Sequence, residues 1–266
     1  MSAGRLVIGC CAALEDLPAL EATAGLDYIE LPVAKSLMGT ADEFDDYLVR
    51  MRRSTLTARA ANVFLPATLR VVGPEARRDE FAEYAATALE RACGIGVALV
   101  VFGSGASRTV PSGYSHDRAL EEFEGAVRLA SALASARGVT LAIEPLHSEE
   151  TNLINTVAEA AAFLRERRLD GVRVVADLWH MEREGEQLEA LDDAGDLVAH
   201  AHVAADDRRP PGQASDRIED FLRHLREIGY SGGCSIECRW TDLAGELPAA
   251  VARVRQAAGA AGWAQA

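Results

Sequence analysis

Eight short apolar or β-branched runs, each followed by a longer amphipathic stretch rich in Ala, Glu and Arg, alternate from one end of the chain to the other. They lie at 6–12, 28–31, 58–65, 98–102, 140–146, 172–177, 198–204 and 233–238. Repeated strand–helix units place successive strands side by side in a parallel sheet. Eight such units, with no long linker rich in Pro, Ser or Gly, select an α/β fold of one kind: a closed (β/α)8 TIM barrel. The length of 266 residues agrees with the ~250 usual for that barrel. A single domain is therefore expected over residues 1–266. Thr40 with Asp42, Ser115, Thr156 and Asp216 are expected start signals for the second, fourth, fifth and seventh helices. Gly94, Gly138, Gly171 and Gly229 are expected to stop helices where the chain turns back into a strand.

Charge narrows the partners. A formal net charge of −14 repels phosphate backbones and anionic membrane surfaces, so neither nucleic acid nor a membrane is an expected partner. No stretch approaches the ~20 apolar residues of a membrane span. The apolar run at the N-terminus ends at Glu15 and Asp16, too early for a secretory signal, which points to a cytoplasmic protein. Five cysteines form an odd set without CxxC spacing and read as buried free thiols.

In a parallel barrel the C-terminal ends of all strands open on one mouth, so polar residues that close apolar strands converge although far apart in sequence. Four consecutive strands end this way. The fifth closes with Glu144 in LAIEPL, the sixth with Asp177 in VVADLWH, the seventh with His200 and His202 in HAHVA, and the eighth with Glu237 in CSIEC, directly before Cys238. His200 and His202 share one face of a strand, and the position of His202 nearer the mouth assigns it to the site, leaving His200 a core or supporting role. Two Glu, one Asp and one His offer mixed oxygen and nitrogen ligation, which suits Mn2+, Mg2+ or Co2+ and also admits Zn2+. Three carboxylates buried together without a cation are costly, because like charges at short range cannot all stay ionised.

His180 lies three residues past Asp177, in position to reach over a metal toward a ligand. Arg208 and Arg209 follow in the loop DDRRPPGQ, whose Pro210, Pro211 and Gly212 can fix an arginine toward a bound hydroxyl or oxyanion. FGSG at 102–105 ends the fourth strand with glycines that allow close backbone approach, but it lacks the terminus of a phosphate-binding loop.

The segments EPLHSEETNLINT, ADLWH, HAHVAADDR and GYSGGCSIE, taken in order, resemble the xylose-isomerase-like sugar phosphate isomerase/epimerase superfamily, and within it the ketose 3-epimerases acting on D-tagatose and D-psicose. The resemblance implies one divalent metal, Mn2+ first among the candidates, held by Glu144, Asp177, His202 and Glu237. It further implies substrate contacts from Glu150, His180 and Arg208, with Glu144 and Glu237 as general acid and base on opposite faces of a keto sugar. A C–H beside a carbonyl is too weak an acid for a carboxylate unless a cation stabilises the enediolate. The chain departs from the family at His147, Ser148 and Glu149, where relatives commonly read EPLNRFETN, and in the loops after the third and fourth strands. Barrels of this type often dimerise, although no surface patch in the sequence marks a homodimer interface.

Three other readings compete. A lyase or deglycosidase acting on 3-keto-glycosides, or an inosose-type dehydratase, starts with the same proton abstraction and the same ligands. A metal-dependent abasic-site endonuclease needs more metal ligands than six histidines and Asn62 supply here, and a basic face for DNA. A sugar-binding barrel without chemistry would have no need of four competent ligand positions.

Overall fold

Eight parallel strands close on themselves in sequence order, β1 (Val7–Cys11), β2 (Tyr28–Pro32), β3 (Thr57–Asn62), β4 (Leu99–Phe102), β5 (Thr140–Ile143), β6 (Val172–Asp177), β7 (Val198–Val203) and β8 (Gly233–Ile236), with β1 also paired to β8. The structure is a computed structural model that describes residues 4–212 and 217–264. Its α-helices are α1 (Leu17–Glu21), α2 (Ala41–Arg53), α3 (Arg78–Gly94), α4 (Gly105–Arg108), α5 (His116–Ser135), α6 (Val157–Glu166), α7 (Leu178–Glu184), α8 (Ala190–Ala194), α9 (Ile218–Glu227) and α10 (Leu243–Ala260). Among the described residues no helix is long and apolar enough to cross a membrane.

Several of the helices begin where a side chain satisfies their first N–H groups. Thr40 forms a reciprocal capping box with Glu43 at the start of α2, while Ser115 and Thr156 accept from the third residues of α5 and α6. Asp216 lies outside the described residues. Two glycine stops differ from expectation. Gly94 is the last residue of α3 and the left-handed turn falls at Gly96; after α6 it is Arg168, not Gly171, that takes a positive φ of 52°. Most strands are also shorter than their apolar runs, although β6 matches its run and β2 extends one residue past it, to Pro32. β3 ends at Asn62, β5 at Ile143 and β8 at Ile236, so Glu144 and Glu237 stand one residue beyond ladder pairing.

Alternation along each strand divides the core. Residues facing the helices build the large apolar layer, including the ring contacts of Phe102 with Phe64, Phe81 and Phe123. Residues facing the barrel axis build a small apolar plug from Val101, Ala142 and Val175, and above it a polar interior. Tyr28 projects into that interior. A Cβ on Gly9 would come within 2.2 Å of its ring carbons and one on Gly233 would sit 2.6 Å from its hydroxyl, so only glycine fits at these two positions. The Tyr28 hydroxyl then meets Ser235 Oγ at 2.7 Å, at the base of the site. Cysteine burial is mixed: Cys10 and Cys234 are buried, Cys11 and Cys238 half-buried, and Cys93 is exposed near the end of α3.

Candidate metal centre and substrate site

The mouth gathers Glu144, Asp177, His202 and Glu237 so closely that one ligand atom from each lies within 4.8 Å of the others. His202 is the hub. Its Nδ1 is 2.9 Å from Glu144 Oε1, 3.3 Å from Glu237 Oε2 and 3.7 Å from Asp177 Oδ2. On the far side its Nε2 lies 3.0 Å from Glu30 Oε1. Carboxylates accept on both sides of this ring, so Nε2 donates to Glu30, and Nδ1 faces the acids as the nitrogen that a bound cation would take in place of a proton.

Glu30 is the residue that sequence reasoning missed. It sits on β2 with no exposure, and besides His202 it accepts from His200 Nε2 at 2.7 Å and Ser235 Oγ at 2.5 Å. Burial would raise its pKa, but His202 and His200 hold it well below the usual carboxylate range. His200 thus supports the site through Glu30. A single acid inside the apolar run YIELP is the only sequence signal it leaves.

Each acid is oriented by its own partners. Asp177 caps α7: its Oδ1 accepts the Trp179 and His180 N–H groups at 2.8 and 3.1 Å, which leaves Oδ2 toward His202. Burial pushes its carboxyl up, yet His202 and Arg208 hold it well below the ordinary range. Glu237 is fixed by Asn62 Nδ2 at 2.8 Å and Arg208 at 2.6 Å. It too is held low against its burial, by His202 and Arg208. Glu144 shares His202, but among the described residues no arginine meets its carboxylate. Burial first, and then the Glu237 charge, raises its pKa. Its carboxylate lies over Gly103, where a Cβ would collide with Oε2, so the FGSG glycine serves this close approach.

Behind Glu144 lies a second missed residue. Arg108 on α4 is wholly buried, donates to the Glu144 carbonyl at 2.6 Å and stacks its guanidinium 5.4 Å over Phe123, while burial lowers its pKa to about 10. No signal in the sequence separated it from a surface arginine.

The residues expected to touch substrate line one side of the same mouth. Arg208 reaches it through two consecutive left-handed residues, Asp207 and Arg208, and lies 4.8 Å over the Trp179 ring and 3.4 Å from Glu150. His180 is buried beside His147, whose ring stacks on it at 5.1 Å. Arg209 is turned away, bonded to the Asp206 carbonyl.

The donor set fits a divalent cation. Three carboxylates face one imidazole nitrogen, and Arg208 pairs with only Glu237 among them. Oxygen-rich ligation with one imidazole suits Mn2+, Co2+ or Zn2+ better than a thiolate-seeking ion.

The chain matches the model of the xylose isomerase-like TIM barrel family over residues 18–263. It is similar to 3-dehydro-D-guloside 4-epimerase of Escherichia coli (strain K12), with 30% identity over 125 residues that cover 47% of each protein. It is also similar to D-psicose 3-epimerase of Agrobacterium fabrum, with 31% identity over 132 residues, 49% of this chain and 44% of that one. The matched stretch thus spans about half the length of these curated relatives. Among solved structures, a 3-keto-D-glucoside 4-epimerase from E. coli superposes with a TM-score of 0.82 at 22% identity, covering 95% of this chain and 100% of the other, a likeness of fold.

Proposed function

Because the chain belongs to the xylose isomerase-like TIM barrel family, we propose that it is a divalent-metal-dependent sugar epimerase that removes and returns a proton at the carbon beside a keto group. The observation that carries this reading is the convergence of Glu144, Asp177 and Glu237 on the Nδ1 side of His202, with Glu30 holding the opposite side. Mn2+ is the first candidate for the ion, and a keto sugar or keto-glycoside in the cytoplasm is the substrate class. Both epimerase relatives named above carry names of that chemistry.

A bound divalent cation supplies positive charge beside the keto oxygen and so lowers the cost of breaking the neighbouring C–H bond. The chain does the rest. Glu144 and Glu237 are the two groups able to exchange a proton with the substrate carbon, one taking it and the other returning it on the opposite face. Asn62 and Arg208 hold the Glu237 carboxylate by one oxygen each, so its aim survives the loss or gain of substrate. Arg108 anchors the main chain of Glu144, and Gly103 leaves room for its carboxylate. Arg208, Glu150 and His180 offer donors and an acceptor to sugar oxygens around the reacting carbon.

Metal-loaded protein incubated with D-psicose and with a 3-keto-D-glucoside, followed by separation of the products, tests the assignment. An equilibrium pair of epimers is expected. A product that has lost its aglycone or a water molecule contradicts epimerisation in favour of elimination from the same site.

A further inference from the structure

His147 stands three residues past Glu144 and is buried at the rim of the mouth, edge-on to Trp179 at 4.9 Å and stacked on His180. Its backbone N–H donates to His180 Nδ1 at 3.0 Å. A ring nitrogen that accepts carries no proton, so neutral His180 is protonated on Nε2. That Nε2–H is buried and has no hydrogen-bond partner. His147 Nε2 is also buried without a hydrogen bond, although Glu150 Oε1 lies 3.3 Å away off the bonding line. One nitrogen from each imidazole and one Glu150 oxygen fall within 4.8 Å of one another. Leaving such donors bare is unfavourable, so these three groups together are suited to a polar partner.

The chemistry of the three groups selects the partner. Two histidines and a glutamate match the ligand set of many zinc sites, but a cation on His180 Nε2 needs that nitrogen unprotonated and so requires the His147 N–H to Nδ1 bond to break. An anion would face the Glu150 carboxylate. An apolar group would leave the imidazoles unsatisfied. A neutral hydroxyl fits all three, accepting from imidazole N–H and donating to Glu150. Resting on the epimerase reading, we infer that His147 is a specificity-determining residue that, with Glu150 and His180, grips one hydroxyl of the sugar.

Two measurements test this. NMR of the full chain labelled with 15N-histidine reads the tautomer: His180 protonated at Nε2 is expected, and protonation at Nδ1 overturns the hydroxyl pocket. Isothermal titration of Mn2+-loaded protein with D-psicose, a methyl 3-keto-D-glucoside and single-deoxy analogues of each then compares the native chain with His147→Phe and His147→Gln. Phe keeps the ring packing and the backbone N–H but deletes Nε2; Gln restores a donor. Affinity is expected to fall about five- to tenfold in His147→Phe, to recover in His147→Gln, and to be insensitive to the substitution for one deoxy analogue only. Mn2+ stoichiometry stays at one ion in all three proteins. Equal loss across every analogue, no loss at all, or a second ion that disappears with His147 overturns the inference. Sugars bound as expected but never epimerised would instead overturn the epimerase reading.

Discussion

Replacing Glu30 by Gln is the perturbation that separates a designed metal centre from a cluster of acids. Gln keeps the shape of the side chain and one acceptor oxygen, but it removes the charge that three buried partners share, His200, His202 and Ser235. A hydrogen bond to a charged acceptor is worth about 1.5–3 kcal/mol and a neutral one about 0.5–1.5, so the His202 Nε2–H bond alone loses roughly 1–1.5 kcal/mol. His202 then offers a less basic Nδ1 and a less fixed ring. Outer partners of metal-bound histidines contribute about 10- to 100-fold in metal affinity, and a tenfold loss corresponds to about 1.4 kcal/mol. The expected result is therefore an increase of about 10- to 100-fold in the Kd for Mn2+, measured by calorimetric titration of metal-free protein. Far-UV circular dichroism should show the barrel intact. A Kd within about twofold of the native value would refute the reasoning, because His202 would then not depend on Glu30 for its tautomer or its aim.

Further outcomes follow from the same geometry. Saturating Mn2+ at about 100 times Kd should stabilise the fold by about 2.7 kcal/mol, seen as a rise of roughly 5–10 °C in Tm that a chelator reverses. Glu144→Gln and Glu237→Gln should each lower turnover by at least about 100-fold while the fold is retained, and unchanged turnover would remove them as acid and base. Gly103→Ala should push Glu144 aside and weaken Mn2+ binding by at least about tenfold, whereas alanine at the open position Gly125 should not. Asp27 accepts from the Ile8 N–H and pairs with Arg5 and Arg255; burial opposes, but these bonds hold its pKa below the ordinary value. Its contribution is thus present above about pH 4 and is lost as pH falls through the lowered folded value, so Asp27→Asn should flatten the acid limb of a stability–pH curve.

The strand-end acids were legible in sequence because a parallel barrel sends every strand terminus to one mouth, so Glu144, Asp177, His202 and Glu237 could be grouped without a contact map. The reading failed where meaning depends on partners distant in the chain. Glu30 acquires its role from His200, His202 and Ser235, each at least 170 residues away, and nothing local distinguishes it from a strand acid at a sheet edge. Arg108 depends on the depth of a four-residue helix, which neither periodicity nor charge encodes. His147 could be seen as a departure from the family pattern, but its link to the His180 tautomer needed the backbone path beyond β5. Helix stops were misplaced for a local reason: Arg168 accepts the left-handed conformation that glycine was expected to take.

Solvent exchange tests the central claim most directly. Metal-loaded protein in D2O is incubated with D-psicose and a 3-keto-D-glucoside, and deuterium at the carbon beside the carbonyl is followed by NMR. Incorporation that requires the metal, that is lost in whichever of Glu144→Gln and Glu237→Gln removes the abstracting group, and that is uncoupled from epimer formation in the other, is the predicted result. Epimers formed without any solvent deuterium, or exchange that persists in both variants, would contradict a proton transfer carried by these two glutamates.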